Sequence, residues 1–139
     1  MSRVIELFLF DILVAILKIE ETIKNFDDGD QLKHNYMAWD SVIREFEIIG
    51  EATKHLIEEQ LFETNKRAIV NFRNVLIHEY FGIDEEEVFD ISINKLADLK
   101  EAVVTKIQLI QKDLKEELVL DFIDEHKHLE FIVKVLEKL

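Results

Sequence analysis

The chain has 139 residues, a formal charge of −13 and no cysteine. That is enough length for one domain with a real core. It rules out disulfides and thiolate metal sites, and it fits a cytoplasmic protein. An acidic balance of this size argues against general nucleic-acid binding, which needs a basic face. Nearly half of the residues are hydrophobic and a third are charged, with three glycines and no proline, a composition that suits an all-α bundle.

The first predicted helix spans about residues 3–25, with Ile5, Leu9, Ile12, Ile16, Ile19 and Ile23 recurring at spacings of three and four. Residues 4–19 are apolar at thirteen of sixteen positions. Glu6 and Asp11 interrupt the run, and it is shorter than the roughly 20 residues a membrane span needs. The reading is a soluble helix, not a signal peptide or an anchor. One apolar stripe suffices for a surface helix, so apolar residues on nearly every side predict burial both in the bundle and against a partner.

The segment FDDGDQ, with Gly29 among three aspartates, predicts a loop. A second long helix should start between residues 31 and 36 and reach about residue 59, its apolar face built from Trp39, Val42, Ile43, Phe46, Ile49, Ala52, Thr53 and Leu56. Arg44, Glu47 and Glu51 line another face, either as a solvated ion-paired stripe or in support of a site. Gly50 costs about 1 kcal/mol against alanine inside a helix, which close packing on a neighbouring helix would justify.

Asn65 is a candidate cap for a third helix, which should end near Tyr80 with Gly82 as its stop. Asp84 and Glu87 form a capping pattern for a short helix over residues 84–91. The run of four acids there could bind a metal, but negative charge at a helix start is favoured for structural reasons. Asn94 is a candidate cap for the last long helix, with Leu96, Leu99, Val103, Ile107 and Ile110 as its stripe. Beyond about residue 112 the chain is apolar, acidic and helical in pattern, suited to docking on the bundle, extending a dimer contact or holding a partner. His126 and His128 would point about 200° apart on a helix, which argues against a metal site there.

The stretch RNVLIHEYFGID, residues 73–84, gathers a guanidinium, an imidazole and a phenol between apolar residues. Arginine grips phosphate bidentately and stays charged, and histidine exchanges a proton near neutral pH. Asn74 could add a hydrogen bond to a phosphoryl oxygen. On a regular helix Arg73 and His78 lie roughly 140° apart around the axis and about 7.5 Å along it, so they do not share one face. One phosphate could meet both if the helix end distorts, or if a two-fold axis brings a second copy. On spacing alone the commoner explanation is a surface ion pair for Arg73, a helix-end cap for His78 and packing for Tyr80. Between Ser41 and His78 five basic residues face six acidic ones, so about −12 of the charge lies elsewhere and a local phosphate site is compatible with the composition.

Four segments in order, FDILVAILKIEETI, DSVIREFEIIGEATKHL, RNVLIHEYFGIDEEEVFDI and NKLADLKEAV, resemble the HEPN-domain proteins of the HepT type. These are the toxin half of a two-gene system whose other half is a minimal, MntA-like nucleotidyltransferase antitoxin. The resemblance covers roughly residues 3–110. It implies an all-α, up-and-down bundle of four or five helices that forms a homodimer and places an Arg-x4-His-x-Tyr motif in a cleft at the two-fold interface. It divides the chain into a HEPN domain, 1–112, and a C-terminal helical extension, 113–139, to which it assigns no role.

By motif match the resemblance makes Arg73, Asn74 and His78 the catalytic set of a metal-independent endoribonuclease acting on RNA, with no cofactor; Arg44 and Glu51, from their helix-face spacing alone, are candidates to support it. It makes Tyr80 the acceptor to which the antitoxin adds AMP, silencing the toxin. Glu79 departs from the pattern: it puts a negative charge where a small residue is common. With the overall acidity, Glu79 favours an alternative, a non-catalytic helical dimer that binds a nucleotide or the nucleotidyltransferase. A plain structural bundle is a third reading.

Overall fold

In the computed structural model, which describes residues 4–78 and 82–139, the apolar repeat of the first segment forms α1, Leu7–Ile23. Six of its large side chains, Leu9, Phe10, Ile12, Leu13, Ile16 and Ile19, are fully buried. Each contributes on the order of 1.5–3 kcal/mol relative to an exposed position, so α1 is the axis around which the bundle condenses. After it come α2 (Gly29–Lys33), α3 (Tyr36–Glu58), a 3-10 turn (Thr64–Lys66) and α4 (Arg67–His78). Then follow α5 (Glu85–Asp90), a π-helical segment (Ile91–Lys95), α6 (Leu96–Gln108), α7 (Lys112–Glu125) and α8 (Glu130–Leu136). The described residues contain no strand, and the fold is an all-α bundle.

α1 and α3 run antiparallel. Phe8 at the start of α1 stacks on His55 near the end of α3 with ring centroids 4.6 Å apart, while Lys18 further along α1 faces Glu45. α4 lies along α3, where Phe46 and Phe72 meet edge-on at 5.2 Å. α6 packs on α1, joined at the rim by Lys100 and Glu20 at 3.0 Å.

α7 and α8 close the remaining side. Leu118, Phe122, Ile132 and Leu136 are buried in the same core as α1, and Phe122 stacks on Phe10 at 5.1 Å. The C-terminal segment therefore docks on the bundle. It also accounts for the apolar surplus of α1: Leu9, Phe10 and residues 12–17 of that helix are covered by the chain itself, so their apolar character supplies no argument for a second copy. Among the described residues no helix is long and apolar enough to cross a membrane.

Several helix boundaries differ from the sequence reading, each for a local reason. The FDDGDQ stretch is not all loop. Asp28 accepts a hydrogen bond from the Gln31 amide and starts α2, and Gly29 is buried within it. A side chain at Gly29 would run into the Glu85 carbonyl, while its amide donates to Glu86 Oε1, so glycine serves close approach to α5. α3 is capped by Asn35, which accepts from the Ala38 amide at 3.1 Å. It ends through Gln60, whose φ of 62° turns the chain so that the Leu61 and Phe62 amides donate to the Leu56 carbonyl.

Asn65 does not cap α4; it lies inside the 3-10 turn that leads into that helix. Gly82 does not take a positive φ, so it is not a left-handed stop. Asp84 does cap α5, accepting from the Glu86 and Glu87 amides. Asn94 caps nothing. Its amide donates to Asp90 Oδ1 at 2.7 Å within the π-helical segment, and α5 passes through that widened turn into α6.

Candidate functional site

α3 and α4 approach closely because Gly50 has no side chain. A Cβ there would overlap Arg73 Cβ and lie 2.6 Å from Arg73 Cγ. The close packing expected of Gly50 is thus packing against the motif arginine itself. The neighbouring residue, Glu51, reaches across to Arg73, with Oε2 3.0 Å from Nη2. Arg73 Nη1 donates to Asn74 Oδ1 at 3.0 Å. Arg73 Nε is buried and has no hydrogen-bond partner among the described residues.

The Arg73 side chain retains 25 % of its exposure and Glu51 47 %. A pair this open contributes only about 0–1 kcal/mol to stability. Its consequence is geometric: Nη1 is hydrogen-bonded to Asn74, Nη2 is paired with Glu51, and the cation keeps an accessible edge.

Arg73 lines a shallow cleft of about 390 Å³ between α1, α3 and α4 with Phe8, Asp11, Arg44, Glu47, Glu51 and Ile77. Arg44 Nη1 is 3.5 Å from Glu47 Oε2 on the open side of α3. The second oxygen of Glu51, Oε1, lies 3.4 Å from Nε2 of His55, one turn further along α3, and the His55 ring stacks on Phe8. Below the rim, Glu45 is buried beside Lys18 and Arg44. Burial raises its carboxyl above the ordinary glutamate range, and the two cations offset part of that rise.

Arg73, Asn74, Glu51 and Arg44 are therefore gathered on one flank of the α3–α4 contact. His78 is exposed as the last residue of α4 and is not part of the cleft lining. Tyr80 and Glu79 lie outside the described residues. Three of the four acids at residues 84–87 serve structure: Asp84 caps α5, Glu85 pairs with Lys33 at 3.5 Å and Glu86 holds the Gly29 amide. Among the described residues no group of three or more His, Cys, Asp or Glu is placed to hold a metal.

His55 and Phe8 were not singled out from the sequence. The signal for His55 was its position four residues after Glu51 on one helix face. Phe8 gave none, because its partner is 47 residues away in the chain.

The fold and cleft define a class: an all-α helical bundle with an arginine buttressed by Glu51 and Asn74 at the edge of an open cleft. The chain belongs to the HepT-like ribonuclease family, whose sequence profile matches residues 12–105. It is similar to "Putative RNase MJ0127" of Methanocaldococcus jannaschii, at 36 % identity over 114 residues, covering 79 % of this chain and 89 % of that one. It is also similar to "Putative RNase MJ1380" of the same organism, at 35 % over 86 residues, 60 % of this chain and 78 % of that one. A third relative is "Putative RNase TTE0752" of Caldanaerobacter subterraneus, at 32 % over 96 residues, 67 % and 82 % of the two chains. No solved structure matches the chain.

Proposed function

We propose that the protein is the toxin of a toxin–antitoxin pair, a cytoplasmic, metal-independent endoribonuclease with Arg73, Asn74 and His78 as its catalytic set. The observation that carries this reading is the arginine: in a chain of net charge −13, Arg73 is held by Glu51 and Asn74 with further N–H groups available to a phosphodiester. Membership of a ribonuclease family supports the choice of RNA as its source.

In this mechanism the 2′-oxygen of a ribose bonds to phosphorus and the bond from phosphorus to the 5′-oxygen breaks, giving a 2′,3′-cyclic phosphate and a free 5′-hydroxyl. Imidazole is suited to taking the 2′-hydroxyl proton or to protonating the leaving oxygen. Arg73 stabilises the charge that gathers on the phosphoryl oxygens. Arg73 faces the α3–α4 cleft and His78 stands exposed at the helix end, so the two come together most simply across a homodimer in which each copy supplies both groups. Residues 1–112 form the catalytic HEPN domain, and the extension 113–139 seals the α1 face.

Control is assigned to Tyr80. Transfer of AMP from ATP to its phenolic oxygen by an MntA-like nucleotidyltransferase, with release of pyrophosphate, adds negative charge and bulk beside the motif and excludes substrate phosphate. With that enzyme and ATP, wild-type protein should gain the mass of one AMP and lose cleavage of cellular RNA, whereas Tyr80→Phe should keep its mass and activity. A Tyr80→Phe protein still silenced by adenylylation would contradict the assignment, and an unmodified wild type without cleavage would favour the non-catalytic binding dimer.

A further inference from the structure

Arg73 is the end of a chain of contacts that begins on a different helix. Phe8 of α1 stacks on His55 of α3 with planes 15° apart. Nε2 of His55 stands 3.4 Å from one oxygen of Glu51, and the other oxygen stands 3.0 Å from Nη2 of Arg73. A glutamate on a helix surface has several rotamers, and the loss of that freedom opposes any pairing it makes. A carboxylate anchored at one oxygen has its second oxygen already aimed, so less entropy is lost when it holds the arginine. The aromatic stack in turn limits rotation of the imidazole. Arg44, which also lines the cleft, is turned toward Glu47 at 3.5 Å.

We propose that His55 is a positioning residue for this site: held against Phe8, it fixes Glu51, and Glu51 fixes the guanidinium of Arg73 in the orientation that meets a phosphodiester. This rests on the ribonuclease reading for its consequence, though not for its geometry. His55 touches neither substrate nor reacting atoms. It acts through the carboxylate alone, and Gly50 brings that carboxylate within reach of Arg73 by letting the α3 backbone approach Arg73 Cβ.

Two substitutions dissect the residue. His55→Phe preserves an aromatic ring for the stack on Phe8 and removes the nitrogen that faces Glu51. His55→Gln restores an N–H donor at similar reach. The full-length protein is assayed with a fluorophore-quenched single-stranded RNA oligonucleotide, alongside NMR of the Arg73 side-chain N–H groups in 15N-arginine-labelled protein. The hydrogen bond on Nη1 and the ion pair on Nη2 both oppose guanidinium rotation, so wild type should show resolved Nη signals.

His55→Phe should average the Nη signals and lower kcat about tenfold with KM within roughly twofold, the pattern of a misplaced group that acts in the transition state. His55→Gln should recover most of both. Combined with Glu51→Gln, His55→Phe should add less than roughly a twofold further loss, because both act on one carboxylate. Unchanged Nη signals and activity in His55→Phe would overturn the proposal. So would a fall in activity with unchanged Nη signals, which would make His55 a direct participant, and so would independent, multiplying losses in the double variant. If unmodified wild type cuts no RNA, the ribonuclease reading fails while the Nη signals still decide the positioning claim.

Discussion

Replacing Gly50 by alanine sets two effects of opposite sign against each other. Inside a helix, alanine is favoured over glycine by about 1 kcal/mol. The new Cβ, however, would overlap Arg73 Cβ and lie 2.6 Å from Cγ, where ordinary van der Waals contact begins at 3.4 Å. The obstructing atom is a Cβ fixed to the α4 backbone, so relief requires α3 and α4 to separate by about 1 Å. Overpacking of this kind costs typically about 1–3 kcal/mol, leaving a net loss of up to about 2 kcal/mol. The larger effect falls on the site. A displacement of about 1 Å stretches the 3.0 Å Glu51–Arg73 contact and misplaces the guanidinium, which should reduce RNA cleavage on the order of 100-fold. Urea unfolding and kcat/KM on a labelled RNA oligonucleotide measure the two effects separately. An alanine variant about 1 kcal/mol more stable than wild type and fully active would refute the close-packing argument.

Three further outcomes are expected. Phe122→Ala removes a buried ring stacked on Phe10 and should destabilise the chain by about 3–5 kcal/mol, detectable in urea; a neutral result would show that α7 is not docked on α1. Gln60→Gly relieves a left-handed residue at φ 62°. It should stabilise by about 0.5 kcal/mol once the greater freedom of unfolded glycine is subtracted, and a clear loss would count against that geometry. Glu45 has its carboxyl raised chiefly by burial, against the pull of Lys18 and Arg44. Its protonated form favours the fold: that contribution is complete below the ordinary value of 4.5 and is lost as pH rises through the raised folded value. Glu45→Gln should therefore raise Tm at neutral pH, with the advantage vanishing at acid pH. A gain independent of pH would exclude ionisation as its cause.

The parts of the fold legible in the sequence are those set by periodic apolar residues. The stripes of α1, α3 and α6 fall where their spacing puts them, because burial of those side chains dominates the local alternatives. What could not be read depends on contacts distant in sequence. Gly29 resembles loop chemistry until Glu85 and Glu86 are placed against it, 56 and 57 positions later. Asn94 has the composition of a cap, yet its short bond to Asp90 belongs to a π-helical turn that keeps the helix going. The apolar surplus of α1 suggests a partner because no local pattern shows that α7 and α8 fold back over it.

The candidate site divides in the same way. Arg73 and His78 were visible as residue types suited to phosphate chemistry, and Gly50 as a point of helix contact. Their joint meaning was not, since nothing in the sequence brings Gly50 to Arg73 or Phe8 to His55. The structure adds a difference in placement: Arg73 is braced within the α3–α4 contact, and His78 stands at the exposed end of α4.

The most direct test of the central claim compares purified, unmodified wild-type protein with His78→Ala on total cellular RNA in excess chelator, with intact mass used to verify that Tyr80 carries no AMP. Chelator-resistant cleavage by wild type, lost in His78→Ala, is the predicted result. Absence of cleavage by either protein, or equal cleavage by both, would contradict metal-independent catalysis through this motif.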